Sequence, residues 1–158
     1  MKKNTIIYLI IAVLAILVVG VTVKLAGSQE DETSNKPAEY KAATEAGDLS
    51  EGMRGITKDN YDQIVTNSKG LVVVDYYAPT CSYCIKYVPE FADAFNAFKD
   101  RVIFGKFDVT TDQSKISELN IEGTPETIIF KDGKEVDRVG GYVKADVLKS
   151  AIEKALSE

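Results

Sequence analysis

The chain has 158 residues, 19 Lys+Arg against 24 Asp+Glu for a formal charge of −5, no histidine and two cysteines. That length holds one domain with appendages, and the acidic balance has the wrong sign for a nucleic-acid-binding face. Absence of histidine excludes His-based triads, His zinc sites and His-ligated haem within one chain, and two cysteines cannot make a disulfide-dense scaffold.

Charge is placed unevenly: +3 over residues 1–27, −5 over 28–52 and −3 over 53–158. Three regions are therefore expected: an N-terminal transmembrane signal-anchor (1–27), an acidic flexible linker (28–52) and a folded domain (53–158). From Ile6 to Val23 there are 18 residues without a charge; a spanning helix takes about 20 mostly apolar residues. Tyr8 suits a headgroup level, and the Lys24 stem is long enough to snorkel to the interface. Lys2 and Lys3 precede the span. The positive-inside rule then predicts a single pass in the cell membrane, with a cytoplasmic amino terminus and the domain on the extracytoplasmic side. A cleaved signal peptide, with Ala26-Gly27-Ser28 as a weak cleavage site, is the competing reading. Leu25-Ala26-Gly27-Ser28 resembles a lipoprotein signal but ends on Ser where thioether lipidation needs Cys. Ser28 to Gly52 is polar and acidic, as expected of a flexible or partly helical spacer.

In the domain, Thr57 is placed to cap a helix over Lys58–Thr66, with Tyr61, Ile64 and Val65 as its apolar side. Leu71-Val72-Val73-Val74 reads as a strand buried on both faces. A helix is predicted over Ser82–Phe98, with Val88, Phe91, Phe95 and Phe98 at steps of three and four and Pro89 inside it. Val102–Val109 is a second strand, Ser114–Leu119 a short helix and Glu126–Phe130 a third strand. Asp132-Gly133 marks a hairpin turn into Glu135–Val139. A final helix over Lys144–Leu156 carries Val147, Leu148, Ala151, Ile152 and Ala155 on one stripe. The order reads as two βαβ units and a hairpin: an α/β domain whose mixed central sheet has helices on both faces.

Chemistry concentrates at Cys81-Ser82-Tyr83-Cys84, where a strand hands over to a helix. Backbone N–H groups at a helix N-terminus favour an anion, so Cys81 ionises more easily there. A thiolate is the attacking species in disulfide exchange. Cys84, one turn on, is placed to resolve the mixed disulfide. Alternatives are a four-thiolate zinc site shared across a dimer, a bridged iron–sulfur cluster, or a purely structural disulfide, whose tiny loop gains little entropically. Haem attachment is excluded by Ile85 after the second Cys. The redox reading needs no metal and no cofactor.

VVVDYYAPTCSYCIKYVPEF, then KFDV, GTPETIIFKDG and VGGY, resemble the thioredoxin family over residues 54–156. The resemblance implies a thioredoxin-like fold. It also maps that family's buried acid onto Asp75, the acid's lysine partner onto Lys106, its helix proline onto Pro89 and its cis-proline onto Pro125, preceded by Thr124. On this analogy Asp75 relays a proton to or from Cys84 and Lys106 tunes that acid. The Thr124-Pro125 backbone receives an extended client segment. A solvated strand-end Asp75 and an ordinary surface Lys106 are the competing readings. The uninterrupted spacing from Cys84 to Pro125 resembles thioredoxin itself more than oxidases with an inserted helical domain. Thr80 replaces the family's Trp, and Ser82-Tyr83 replaces its Gly-Pro. Tyr83 then either touches a partner protein or covers the disulfide.

The resemblance leads us to expect a membrane-anchored extracytoplasmic thioredoxin-like protein of bacteria. It would be a thiol–disulfide oxidoreductase, leaning reductase, and a monomer. Its partners would be protein thiols and disulfides of exported proteins, and a membrane electron donor or acceptor protein. A disulfide-forming oxidase or isomerase is the alternative within the same chemistry. A redox-inactive tethered binding module is the alternative outside it, disfavoured by the joint presence of Cys81, Cys84, Asp75 and Pro125.

Overall fold

A computed structural model describes residues 45–158. The expected membrane span and the linker up to residue 44 lie outside the described residues. Among the described residues no helix is long and apolar enough to cross a membrane.

Five strands form one sheet: β1 (Arg54–Ile56), β2 (Leu71–Tyr77), β3 (Val102–Asp108), β4 (Glu126–Lys131) and β5 (Lys134–Gly140), in the order β1-β3-β2-β4-β5. Strands β1 and β2 run parallel to β3, whereas β4 is antiparallel to β2 and β5 to β4. The helices are α1 (Ser82–Phe98), α2 (Gln113–Glu118) and α3 (Ala145–Ser157). Strand β2, buried from Leu71 to Tyr76, is central, as its continuous apolar run predicts.

Alternation along β2 divides the core. Leu71 and Val73 face Tyr87, Phe91, Phe95 and Phe98 of α1 and Leu148 and Ile152 of α3. Val72, Val74 and Tyr76 face Tyr61, Val65 and Ile116 on the other side. Each such fully buried side chain contributes about 1.5–3 kcal/mol relative to exposure. On the α1 side, Phe91 and Phe95 each meet the Phe104 ring edge-on at 5.5 Å between centroids.

Four sequence expectations are corrected. The helix expected over Lys58–Thr66 is instead a turn followed by one π-type turn, Asp62–Thr66, closed by the Asn67 N–H on the Asp62 carbonyl at 2.7 Å. No Thr57 side-chain cap forms; the Thr57 N–H donates to the Asn60 side chain at 2.7 Å, which turns the chain before a helix can start. Strand β1 was not expected, because it has three residues and only Ile56 is buried. It is admitted by Gly105: a Cβ there would stand 2.9 Å from the Arg54 carbonyl oxygen and overlap the Ile56 side chain. The segment from β3 to β4 is not a βαβ unit, since β4 is antiparallel to β2. Helix α2 has six residues, about 9 Å at 1.5 Å each, too short to carry the chain back along a strand of about 23 Å. Val147 is 52% exposed; the buried stripe of α3 is Ala145, Leu148, Ile152 and Ala155.

The hairpin turn is as the Asp-Gly pair predicts. Asp132 and Gly133 both have positive φ (50° and 78°), the twist that a two-residue hairpin favours.

Candidate active site

Strand β2 ends at Tyr77, and four residues later the chain enters α1 at Cys81. Cys81 is the N-cap residue, in extended conformation, and its sulfur accepts the Cys84 N–H at 3.1 Å. The two cysteines form a disulfide with Cα atoms 5.2 Å apart. Cys84 is fully buried under the helix, while Cys81 is only half-buried. A client sulfur therefore reaches Cys81 first, and Cys81 is also the sulfur at the positive end of the helix dipole.

The second wall of the site is the segment before β4. The Thr124–Pro125 peptide is cis, and the Thr124 carbonyl oxygen lies 3.5 Å from Cys81 Sγ. An open groove of about 290 Å³ runs beside it, lined by Glu122, Gly123, Thr124, Pro125, Gly140 and Gly141. Arg138 of β5 spans this segment from both sides. It donates to the Leu119 and Asn120 carbonyls before it, at 2.9 and 3.5 Å, and to Glu126 after it at 2.9 Å. Glu135 holds the same guanidinium through two bonds of 2.8 Å. The Gly141 N–H donates to the Pro125 carbonyl at 2.8 Å, which ties β5 to the groove floor.

Beneath α1 a polar row crosses the sheet in register: Lys106 on β3, Asp75 on β2 and Thr127 on β4. All three are buried. Lys106 Nζ lies 3.2 Å from Asp75 Oδ2, an ion contact rather than an aligned hydrogen bond; neither carboxylate oxygen has a hydrogen-bond partner among the described residues. Burial raises the Asp75 carboxyl from its ordinary 3.8 to about 6, with the Lys106 ammonium pulling the other way. Thr127 bonds the Tyr87 hydroxyl at 3.0 Å. Tyr87 sits one turn after Cys84, and burial, with a smaller push from the Asp75 and Glu90 charges, raises its phenol. The row therefore lies under the first turns of α1.

The structure thus brings Cys81, Cys84, Thr124 and Pro125 together at one edge and pairs Asp75 with Lys106 beneath. Tyr83 is 60% exposed, and its ring faces Lys86 Nζ at 5.4 Å, so its side chain stands in solvent. Sequence reasoning missed Ala46, Tyr87, Thr127 and Arg138. Tyr87 was findable as the residue one turn beyond Cys84; the others have no local signal.

A CxxC disulfide at the N-terminus of a helix, facing a cis X-Pro edge on a five-stranded mixed sheet, defines a dithiol–disulfide class of domain. A family profile described as Thioredoxin matches residues 52–154, and the chain belongs to that family. It is 35% identical over 106 residues to a protein disulfide-isomerase A6 homolog of Drosophila melanogaster, covering 63% of this chain and 24% of that protein. It is 35% identical over 100 residues to chloroplastic thioredoxin Y1 of Arabidopsis thaliana, covering 63% of this chain and 58% of the relative. Bloodstream-specific protein 2 of Trypanosoma brucei brucei is 32% identical over 95 residues, covering 60% of this chain and 19% of its own length. The chain thus spans a quarter or less of the first and third relatives and somewhat over half of the second.

Proposed function

We propose that the domain is a protein-disulfide oxidoreductase that exchanges disulfides through Cys81 and Cys84, working mainly as a reductase. The observation that carries this reading is the asymmetry of the pair: a reachable Cys81 at the helix N-terminus bridged to a fully buried Cys84. In the reducing direction, the Cys81 thiolate attacks a client disulfide and releases one client thiolate. The Cys84 thiol then gives its proton to the Asp75 carboxylate, and its sulfur attacks Cys81 Sγ. That breaks the mixed disulfide, and the second client thiolate leaves and takes up the proton. Two electrons pass to the client, and the domain is left as the Cys81–Cys84 disulfide. Thr124 and Pro125 would receive the client backbone, Tyr83 would contact it from solvent, and Lys106 would hold the charge of Asp75.

In the full chain, residues 6–23 would anchor this domain outside the cytoplasm of a bacterium, as a monomer. Its clients would be exported proteins, and a membrane protein would supply the electrons. An oxidase or isomerase is the second reading, favoured by the similarity to the protein disulfide-isomerase A6 homolog and by Ser82-Tyr83 in place of the family's Gly-Pro.

Reduction of insulin disulfides by the dithiol-loaded chain tests the activity, with Cys81→Ser expected to abolish it; equal turnover by that variant overturns the reading. The potential of the Cys81–Cys84 couple sets direction: a value near about −270 mV marks a reductase, one near about −120 mV an oxidant.

A further inference from the structure

Residues 45–48 precede the family-matched segment and belong to the stretch whose composition reads as linker. They nonetheless lie over the Asp75–Lys106 pair. Ala46 is fully buried, and its carbonyl accepts a hydrogen bond from Lys106 Nζ. Gly47 passes so close to Tyr77 that a Cβ there would stand 2.6 Å from the phenolic oxygen. The Tyr77 ring in turn faces the ammonium, with Nζ 5.1 Å from its centroid. The segment is closed on itself: the Asp48 N–H donates to the Glu45 carbonyl at 3.2 Å, and the Glu45 N–H to the Asp48 carboxylate at 3.3 Å.

We propose that Glu45–Asp48 is a strap that keeps water off the Asp75–Lys106 pair and directs the lysine ammonium. It is a positioning element for the acid to which the reading above, on which this rests, gives the resolving step. Lys106 is 3% exposed, and among the described residues its ammonium meets the Asp75 carboxylate and the Ala46 carbonyl. Lifting the strap removes one of them and opens the pair to solvent. Among the described residues, the charged and titratable groups that act on Asp75, or on which it acts, are Lys106 from β3, Tyr77 from β2 itself and Tyr87 from α1, with Glu45 of the strap acting on Tyr77; of these Lys106 is the cation. Burial is the larger influence on Asp75 and Lys106 the smaller, so wetting the pair relieves the larger one. Asp75 then titrates at lower pH.

The full chain in detergent micelles tests this with two variants. Ala46→Arg puts a long cation at a fully buried position beside an ammonium; Gly47→Val drives a side chain into Tyr77. Two readouts are taken: acetylation of Lys106 by an activated ester, followed by mass spectrometry, and the 13C titration of the Asp75 carboxyl, assigned with Asp75→Asn. In the wild type, Lys106 should react far more slowly than Lys58, whose side chain is 67% exposed. In the variants its rate should rise about tenfold or more, and the Asp75 midpoint should fall by about one pH unit, as expected for relief of desolvation. Where Ala46→Arg does not fold, Gly47→Val carries the measurement. Wild-type Lys106 reacting as fast as Lys58 overturns the proposal. So does a folded variant whose Lys106 stays protected or whose Asp75 midpoint does not move. Neither readout uses turnover, so a failed proton relay with an intact strap remains distinguishable from a failed strap.

Discussion

At the scale of single residues, the two sulfurs differ in access, and that difference makes an unambiguous prediction. Cys84→Ser leaves the reachable Cys81 without a resolving partner, so mixed disulfides with clients should accumulate on non-reducing gels; Cys81→Ser should trap few or none. Asp75 is the other decisive residue. With its carboxyl near 6, it is ionised and able to accept a proton between about pH 6 and 8, where a Cys thiol of ordinary pKa, about 8.5, is mostly protonated. Asp75→Asn should therefore slow resolution by roughly 10²-fold in that window. The deficit should shrink below pH 6, where the wild-type acid is already protonated, and at strongly alkaline pH, where hydroxide can take the thiol proton in place of the carboxylate. Stopped-flow rates across pH check this. Stability should move in the opposite sense. A carboxyl whose pKa rises on folding adds stability below its unfolded pKa and loses it as pH rises through the folded one. Asn imitates the protonated acid, so Asp75→Asn should match the wild type below pH 4. Above pH 7 it should be more stable by roughly 1–3 kcal/mol, the upper figure following from 1.36 kcal/mol per pH unit. Denaturant melts at the two pH values test the sign.

At the scale of elements, the segment carrying Thr124 and Pro125 owes its placement to Arg138 of β5. Replacing that guanidinium by Met removes bonds to two carboxylates and two carbonyls. Loss of about 1–3 kcal/mol is expected from charge-assisted bonds of this kind. The functional signature should be a raised KM for a protein client with little change in the rate towards a small disulfide, which does not need the groove. This clamp also marks where sequence reading stops. The central strand, α1, α3 and the hairpin were legible because each carries its own period or turn chemistry. The cysteine pair was legible from its spacing and its place at a helix start. Asp75, Lys106 and Pro125 were placed only through likeness to a family. Arg138, Thr127 and Ala46 were not legible: apart from Glu135, three residues before Arg138, their partners lie 12 to 60 residues away in the chain. Strand β1 failed for a related reason, since its pairing depends on a glycine in β3 rather than on a pattern of its own.

At the scale of the whole molecule, the proposed tethered topology is open to a direct test. Protease added to intact cells should digest the 54–156 domain; protection of that domain would place it inside. A mature chain beginning near Gln29 would show instead that the amino-terminal segment is cleaved. A domain held on a membrane, as proposed, would meet its neighbours often, and there the margins of its sheet would become important. One margin is a three-residue strand. The other, β5, carries Lys134, Glu135, Asp137 and Arg138 within seven residues, and its pairing with β4 shifts register at Ile129/Phe130. Short, charged and irregular edges are poor templates for another copy's backbone. Crowding many copies onto one plane should therefore leave the domains separate rather than seed ribbons of shared sheet.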